Sequence, residues 1–275
     1  MFTLPRNLGA RRRPFTIHIL GALFFAVLLW FAYGRVLRER VQTVAAIVEG
    51  RQLNNLVPLI LHFVGFLGPN WPVHVFHSAR NSQNLTTSAT IMKYVKSSRI
   101  VLHELPSEMI DFASPVDVSR FLTTDELWKR LLPATHVLMF QADSMVCGAS
   151  AFKPEEFLKY SFVGAPITYE YGHGFNGGLS LRHIPSLLRT VKEWEYTDND
   201  AEDQFFSNVI PMLRPPAPEV PQGDVARRFS VETVWYDRPM GFHQARRWNE
   251  DRMPYIMTYC PEIALAEAGH SFLHP

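Results

Sequence analysis

A carboxylate placed just after an apolar run is the first sign of chemistry in this sequence. Residues 137–140 read Val-Leu-Met-Phe, and Gln141 and Asp143 follow them. Four apolar residues between polar ones are typical of a buried strand, and in open α/β sheets ligands bind just outside the carboxyl ends of such strands. Asp143 therefore stands where a metal-bound diphosphate could sit. An ordinary turn after a strand is the alternative, because Asp is common in turns.

A glycine-rich stretch further along could also approach a ligand. Residues 172–182 contain four glycines, among them Gly177 and Gly178, which follow Asn176. Glycine lets the backbone come close to a ligand and leaves N–H groups free to meet an oxygen-rich partner. A flexible loop is the alternative, since glycine also marks turns.

An acidic pair and a histidine complete the candidates. Glu202 and Asp203 would lie in the first turn of a helix capped by Asp200, where acidic residues are favourable without any function. Either carboxylate could instead take a proton from an incoming hydroxyl. His243 follows a glycine turn and could give a metal its nitrogen ligand, although a lone histidine is more often an ordinary polar residue.

The elements that must position these residues alternate along the chain. Apolar, partly β-branched runs predict strands, and the segments between them favour helices. The predicted order is strand 44–48, helix 53–67, strand 73–76, helix 91–96, strand 99–103, a helix after the capping-box pattern of Thr123 and Glu126, and strand 137–140. Such alternation predicts right-handed crossovers and a mostly parallel sheet. Later elements are a strand at 179–181, helices starting near Pro185 and Asp200, and a strand at 228–234.

Composition narrows the classes of function. The 275 residues are 47% hydrophobic, enough for one large core, and the net charge is +1. The one basic run is residues 11–13 and no zinc-type Cys/His spacing occurs, so neither nucleic-acid binding nor a structural metal is expected. Cys147 and Cys260 could pair or stay free.

The amino-terminal segment predicts a membrane anchor. Residues 15–33 carry no formal charge, and as a helix they would span about 28 Å, close to a bilayer core of about 30 Å. A cleaved signal peptide is the alternative, but its apolar core would be shorter and end in a small-residue cleavage site. Basic residues slightly favour a cytosolic tail at 1–14, with a stem at 34–43 and a lumenal domain after it. Asn84 would then be the one usable glycosylation sequon.

The order of these stretches resembles a known family. The blocks Glu49-Gly50-Arg51, VLMFQADS, YSFVGAPI, GFNGGLSLRH, EDQFF and MGFHQARRW follow one another as in an uncharacterised, largely fungal family of membrane-anchored, glycosyltransferase-like proteins. That family is similar to the GT-A fold of nucleotide-sugar transferases. The resemblance covers residues 44–248 and leaves 249–275 as a tail. It implies a single GT-A-like, Rossmann-like α/β domain with a mostly parallel central sheet.

The resemblance also implies a metal site. Asp143 matches the last carboxylate of the Asp-x-Asp motif, which binds a divalent cation, Mn²⁺ or Mg²⁺, beneath the donor diphosphate. His243 matches a second metal ligand. Gln141 stands where the first Asp is expected, and its neutral amide adds no charge. Since few protein ligands remain, donor phosphates and water must fill most of the six positions, and we expect metal and donor to bind cooperatively.

The remaining roles concern the two substrates. By the resemblance, the nucleotide would be held by Glu49, Arg51 and His77. The sugar and acceptor pocket would be lined by Asn176, Gly177 and Gly178, and the catalytic base of an inverting reaction would be Glu202 or Asp203.

These expectations converge on a metal-dependent glycosyltransferase of the secretory pathway, in the Golgi or the endoplasmic reticulum. It would move a sugar from a nucleotide-sugar donor to a hydroxyl of a glycan or glycoconjugate. Gln141 keeps open an inactive binding module with the same fold. A nucleotide-sugar hydrolase is a further alternative, since it would use the same metal site without an acceptor pocket.

Overall fold

Strands and short helices alternate through the part of the chain that the computed structural model describes, residues 42–266. In chain order they are β1 (Thr43–Glu49), α1 (Leu56–Leu67), β2 (Val73–His77), α2 (Ala79–Thr87), α3 (Ala89–Lys96), β3 (Ile100–Glu104), α4 (Ser107–Ile110), α5 (Pro115–Leu122), α6 (Glu126–Arg130), β4 (His136–Phe140), β5 (Ser144–Val146), β6 (Phe162–Pro166), β7 (Phe175–His183), α7 (Ile184–Glu193), α8 (Glu202–Val209), α9 (Gly223–Phe229), β8 (Ser230–Val231), β9 (Gly241–His243), α10 (Ala245–Trp248) and α11 (Met253–Tyr259). Short 3-10 helices lie at Pro154–Phe157, Tyr169–Tyr171, Ile210–Met212, Glu250–Arg252 and Pro261–Leu265.

The central sheet has the strand order β3-β2-β1-β4-β7-β6. Strand β1 is parallel to β2 and to β4, and β2 is parallel to β3. Strand β7 runs antiparallel to both β4 and β6. The prediction of an α/β fold with a mostly parallel sheet is therefore confirmed. Because the strand order reverses at β1, a ligand crevice is expected between the carboxyl ends of β1 and β4.

Packing beneath the sheet fixes the end of β4. All five residues of β4 are buried, and helix α1 buries six side chains along one face. The ring of Phe63 from α1 stacks on that of Phe140 with centroids 3.8 Å apart. Since Phe140 is the last residue of β4, this contact holds the strand end from which Gln141 and Asp143 emerge.

A second, three-stranded sheet brings distant parts of the chain together. Its order is β5-β9-β8, and β5 pairs with β9 in antiparallel register, Ser144 opposite His243. The backbone N–H of Gln244 donates to the carbonyl of Asp143 at 3.0 Å. The pairing therefore places Asp143 beside His243, about a hundred residues later in the sequence.

Two predicted elements differ from the structure. Of the predicted strand 228–234, residues 228–229 end helix α9, residues 230–231 form the short strand β8, and residues 232–234 form a bend. Ala226 and Phe229 are buried three residues apart, and Phe229 packs edge-on against Phe157, so tertiary packing selects the helix over the β-branched run that follows.

The predicted capping box is also wrong. The Thr123 hydroxyl donates to carbonyls of Ser119 and Arg120, so it closes helix α5 instead of starting the next one. Helix α5 is capped by Ser114, whose side chain accepts from the Asp117 N–H. Similarly, Ala201 and not Asp200 stands at the N-cap of α8.

The described part of the C-terminal tail packs on the domain. Ile256, Cys260 and Ile263 are buried, and Cys260 forms a disulfide with Cys147. The bond joins α11 to the end of β5 across 113 residues of sequence. It settles the pairing that the sequence left open.

The predicted anchor 15–33 lies outside the described residues, together with the tail 1–14 and most of the stem. Within residues 42–266 no helix has the length and apolar character needed to cross a membrane. Asn84 of the sequon lies on helix α2 and is partly exposed.

Candidate functional site

A crevice of about 360 Å³ opens at the carboxyl ends of β1 and β4. Its lining includes both polar and apolar side chains. The polar lining residues are Glu49, Arg51, Arg80, Asp111, Gln141, Asp143, Arg182, Glu202 and Gln244. The apolar lining residues are Val48, Ile110, Phe112, Val118, Phe121, Leu122, Met139 and Phe140. The crevice lies where the reversal of strand order predicts a ligand site.

A tight turn after β4 presents Gln141 and Asp143 together. The N–H of Ser144 donates to the Gln141 carbonyl at 3.0 Å, which closes the turn. The His243 Nε2 then lies 3.2 Å from Gln141 Oε1 and 3.3 Å from Asp143 Oδ1. Gln244 donates from its side-chain amide to Asp143 Oδ2 at 3.0 Å. The side chains of the two predicted metal ligands, Asp143 and His243, thus meet that of Gln141, which stands where the first Asp of the motif is expected.

His243 lies between two carboxylates. Its Nδ1 is 3.0 Å from Glu232 Oε1, and its ring is buried. Burial alone would lower the pKa of His243, but the charges of Asp143 and Glu232 and their hydrogen bonds outweigh it and raise the pKa well above its usual value. Burial likewise opposes the charge of Asp143, yet His243 and Gln244 lower the pKa of that carboxyl. The cluster therefore favours the charged forms of His243 and Asp143.

Glu232 is a site residue that the sequence analysis missed. It follows β8, is 5% exposed, and its backbone carbonyl accepts from the Asn249 side chain at 2.8 Å. Only the fold brings it to the far side of the His243 ring. Within the sequence it stands among β-branched and aromatic residues without any spacing that marks a ligand.

Gly177 and Gly178 make room for side chains. A Cβ on Gly178 would lie 2.2 Å from His243 Nε2, and one on Gly177 would lie 2.4 Å from an Arg182 nitrogen. The pairing register shifts at this point, because consecutive Gly164 and Ala165 of β6 pair with Ser180 and Asn176, so that residues 177–179 of β7 bulge out of the ladder. Asn176 accepts from the Gly178 N–H at 2.7 Å. Of the three, Gly177 alone lines the crevice. The close approach foreseen for a ligand is made here by His243 and Arg182.

The three residues predicted to hold the nucleotide do not all line the crevice. Glu49 is buried and binds Arg51 through both carboxylate oxygens, at 2.8 to 2.9 Å. Both residues line the crevice. His77 lies opposite Glu49 in the parallel register, but it is not part of the crevice wall. Arg80, which the sequence did not mark, lines the crevice and pairs with Asp111 at 2.7 Å.

The acidic pair has two distinct environments. Glu202 lines the crevice and forms a bidentate ion pair with buried Arg182, at 2.9 and 3.0 Å. Asp203 does not line the crevice and accepts from the backbone N–H groups of Gly177 and Gln204. Burial and the neighbouring Glu202 raise the pKa of Asp203 to about 7. Only Glu202 is thus placed to meet a ligand in the crevice.

Gln141, Asp143 and His243 offer one amide oxygen, one carboxylate and one imidazole nitrogen, so a divalent cation here would need most of its six ligands from donor phosphates and water. In this structure the His243 Nε2 lies at hydrogen-bond distance from both oxygens, and a cation would have to replace the proton on that nitrogen. Glu232 holds the opposite ring nitrogen, as carboxylates do for metal-bound histidines. No group of three His, Cys, Asp or Glu side chains able to hold a metal occurs in the described residues.

Comparisons with known proteins give one family match. The model of a family described as "Protein of unknown function (DUF5672)" matches residues 99–243. This range includes Asp143, Glu202 and His243. No curated protein matches the chain.

Several solved structures have a similar arrangement at low sequence identity. The apo-form glycosyltransferase GlyE of Streptococcus pneumoniae TIGR4 is 10% identical, with a TM-score of 0.45 over 74% of this chain and 54% of that one. S. aureus TarS 1-349 is 12% identical, with a TM-score of 0.41 over 60% and 54%. The same protein in complex with UDP-GlcNAc is 13% identical, with a TM-score of 0.38 over 60% and 51%. The chain spans about half the length of these structures.

Proposed function

The chain belongs to the DUF5672 family, and we propose that it is a glycosyltransferase with a GT-A-like domain. It moves a sugar from a nucleotide-sugar donor to a hydroxyl of a glycan or glycoconjugate. The proposal is supported by the block order that resembles glycosyltransferase-like proteins and by the crevice at the reversal of strand order.

One observation carries the proposal. Asp143, Gln141 and His243 meet at the carboxyl end of β4, and Glu49 with Arg51 lies at the carboxyl end of the adjacent β1. The crevice is therefore lined by the side chains of Gln141 and Asp143 and by the guanidinium of Arg51, and His243 contacts the first two without lining the crevice itself. A nucleoside diphosphate needs both a counter-charge for its phosphates and polar contacts for its ribose.

The donor occupies the half of the crevice near β1. Arg51 and Arg80 carry positive charge beside the donor phosphates, and Glu49 holds the Arg51 guanidinium in place. Ile110 and Phe112 offer apolar surface to the nucleobase. A Mn²⁺ or Mg²⁺ ion would be held by Asp143, His243 and the Gln141 amide, and it would supply charge that stabilises the departing nucleoside diphosphate.

The acceptor approaches from the side of helix α8. Glu202 faces the crevice and accepts a hydrogen bond from the acceptor hydroxyl, while Arg182 holds the carboxylate in position through two hydrogen bonds. Asp203, with its pKa near 7, supports the position of Gly177 from behind. We assign to Glu202 the contact with the reacting hydroxyl and to Asp203 a positioning role.

The place of the protein in the cell follows from the anchor expected at residues 15–33 and from the disulfide. Disulfides persist in oxidising compartments such as the endoplasmic reticulum lumen. The Cys147–Cys260 bond therefore supports a lumenal domain in the secretory pathway. Glycan acceptors occur in that compartment, with Asn84 as a site for the protein's own glycosylation.

A nucleotide-sugar screen with the full chain tests the function. We expect turnover of one donor in the presence of Mn²⁺, loss of at least about a hundredfold in Asp143→Ala, and tighter Mn²⁺ binding when nucleotide is present. Arg246→Ala, an exposed position outside the crevice wall, is the matched control. Tight Mn²⁺ binding without nucleotide, measured by isothermal titration, would contradict the cooperative site.

Gln141 favours one second candidate. With an amide in place of a carboxylate, the site has less negative charge for a cation, so an inactive binding module would keep the donor crevice and lose catalysis. Donor binding without turnover for every acceptor tried, together with turnover gained in Gln141→Asp, would select this candidate. Turnover without any acceptor would select a hydrolase instead.

A further inference from the structure

The loop between β6 and β7 exposes two aromatic side chains beside the crevice. Tyr169 is 85% exposed and Tyr171 is 55% exposed. The ring of Tyr171 contacts that of Trp248 with centroids 4.7 Å apart, and Trp248 is partly buried. We call Tyr171 and Trp248 the aromatic platform. Large aromatic groups left open to solvent next to a site are typical of a binding surface.

The loop is held firmly on helix α8. Gln204 accepts from the His173 N–H at 3.2 Å, and its amide donates to the Tyr171 carbonyl at 3.4 Å. Gly172 and Gly174 have φ of 133° and 84°, and a Cβ on either would lie within 2.3 Å of atoms of α8. The exposed rings therefore stand on a fixed support, and a ligand need not order the loop.

The residues that hold Tyr171 and Trp248 in place, Gln204 and Gln244, belong to segments that also line the crevice. Gln204, which holds the loop, is two residues after Glu202, the carboxylate that faces the crevice. Trp248 lies one helical turn after Gln244, and its backbone N–H donates to the Gln244 carbonyl at 3.2 Å. Gln244 lines the crevice and adopts a left-handed backbone with φ of 47°, which directs its amide to Asp143. The platform is thus connected through Gln204 and Gln244 to the two segments that bring Glu202 and Gln244 to the crevice.

The polar groups next to the platform favour a sugar ring as its ligand. Arg247 lies over the Trp248 ring at 4.7 Å and donates to Gln244 at 3.1 Å, so a guanidinium and an amide adjoin the Trp248 end of the platform. A pyranose has a face of C–H groups that packs on an aromatic ring and hydroxyls at its edge that need such polar partners. An apolar protein surface would instead meet these charges unpaired.

We propose that the aromatic platform binds a sugar residue of the acceptor glycan, with Tyr171 as the stacking surface and Trp248 as its support. This inference rests on the proposed function, because it places the acceptor on the Glu202 side of the crevice. The sugar ring lies on Tyr171, and the hydroxyl that reacts extends toward Glu202.

Oligosaccharide binding to the full chain tests the platform. Mannobiose, lactose and chitobiose are titrated with and without UDP and Mn²⁺, followed by saturation-transfer NMR and calorimetry. We expect at least one of them to bind, Tyr171→Ala to weaken it about tenfold, and Tyr171→Phe to retain it because the ring face remains. Trp194→Ala, which removes an exposed aromatic outside the crevice wall, should leave binding unchanged.

The outcomes separate this inference from the proposed function. Nucleotide-sugar binding without any bound disaccharide overturns the platform and keeps the donor site. Disaccharide binding that needs Tyr171, without nucleotide binding, supports the platform and rejects the transferase. If Tyr171→Ala weakens UDP binding instead, the ring serves the donor and the inference fails. If it dissociates a dimer in light scattering and no sugar binds, the rings belong to a protein interface and the inference also fails.

Discussion

At the residue scale, His243 depends on contacts at both of its ring nitrogens. Glu232 occupies Nδ1, while Gln141 and Asp143 face Nε2. The imidazole is buried, so its orientation cannot be corrected by water. Substituting Glu232 therefore tests the site while Gln141 and Asp143, the residues that face Nε2, stay unchanged.

Glu232→Ala should weaken both the fold and the metal-supported donor site. The buried Nδ1 would lose its partner at a cost of about 1–3 kcal/mol, and metal affinity should fall about 10- to 100-fold because the ring is no longer oriented. Urea unfolding and titration of Mn²⁺ with UDP measure the two effects. Glu232→Gln, which keeps an acceptor oxygen, should retain most of the stability. A result equal to that of exposed Glu195→Ala would reject the role of Glu232.

Gly178→Ala should displace the His243 ring. The added methyl group would lie 2.2 to 2.5 Å from three ring atoms, and overpacking of this kind costs about 1–3 kcal/mol. We expect weaker Mn²⁺-dependent donor binding and a lower urea midpoint. Gly65→Ala is the matched control, since its Cβ meets nothing within 4 Å in helix α1, and it should stabilise by about 0.5–1 kcal/mol. Equal effects of the two changes would contradict the contact.

Sequence reasoning reached part of this site for physical reasons. Asp143 is recognisable because an apolar strand leads directly to it, and His243 because Gly241 precedes it, although Gly241 begins strand β9 and is not part of a turn. Glu232 and Arg182 are not recognisable, since their contacts with His243 and Glu202 are made by packing between distant segments and leave no local spacing. The sequence also does not show that Glu202 and Asp203 lie in different environments, because these neighbouring carboxylates differ only in the groups that the fold places against them.

At the element scale, strand β7 and helix α8 are joined by one buried ion pair. Arg182 is 1% exposed and Glu202 6%, and the guanidinium also packs over the rings of Trp128 and Phe162. Its Nε donates to the Ser180 hydroxyl, and Nη2, which also donates to Glu202, donates to the Gly177 carbonyl. The pair therefore fixes the start of α8 against the bulged strand beside the crevice.

Arg182→Met should be strongly destabilising. It removes a fully paired cation and leaves the Glu202 carboxylate buried without a counter-charge, which costs about 3–5 kcal/mol. The double variant Arg182→Met, Glu202→Gln should recover part of that loss, because the unpaired charge is gone. Urea unfolding of the two single variants and the double variant gives the coupling. Arg189→Met, at the more exposed pair with Glu193, is the control and should cost less than about 1 kcal/mol.

The elements themselves were predictable where local pattern and packing agree. Strands β1, β3 and β4 carry continuous apolar runs and β2 an alternating one, and each strand lies within one residue of its predicted bounds. Helix α9 was not predicted, because the β-branched residues just after it suggested a strand from residue 228, and the burial of Ala226 and Phe229, which favours the helix, is visible only in the fold. The direction of β7 also required the structure, since an antiparallel strand has the same apolar pattern as a parallel one.

At the scale of the whole molecule, two histidine pairs lie on neighbouring strands of the central sheet. His74 Nδ1 is 3.0 Å from His103 Nε2 on strands β2 and β3. His136 and His183 are opposite one another on β4 and β7, with ring centroids 4.9 Å apart. Burial, and then the neighbouring histidine, lowers the pKa of both His74 and His136 to about 4. Burial is also the main cause that lowers the pKa of His103 and His183.

These pairs should make the domain sensitive to acid. The unfolded chain binds protons on its histidines near pH 6.5, whereas the folded His74 and His136 resist protonation until about pH 4. Between these values the unfolded state binds more protons on these histidines, so their contribution to stability falls as the pH decreases and is fully present above about pH 6.5. Asp203, whose pKa is raised to about 7, opposes this because its carboxyl takes up a proton in the folded state first. We expect the melting temperature to drop by several degrees between pH 7 and pH 5. His136→Gln should flatten that slope, and the same change at exposed His173 should leave it as it is. A slope that is equal in all three proteins would show that the buried pairs do not govern the acid response.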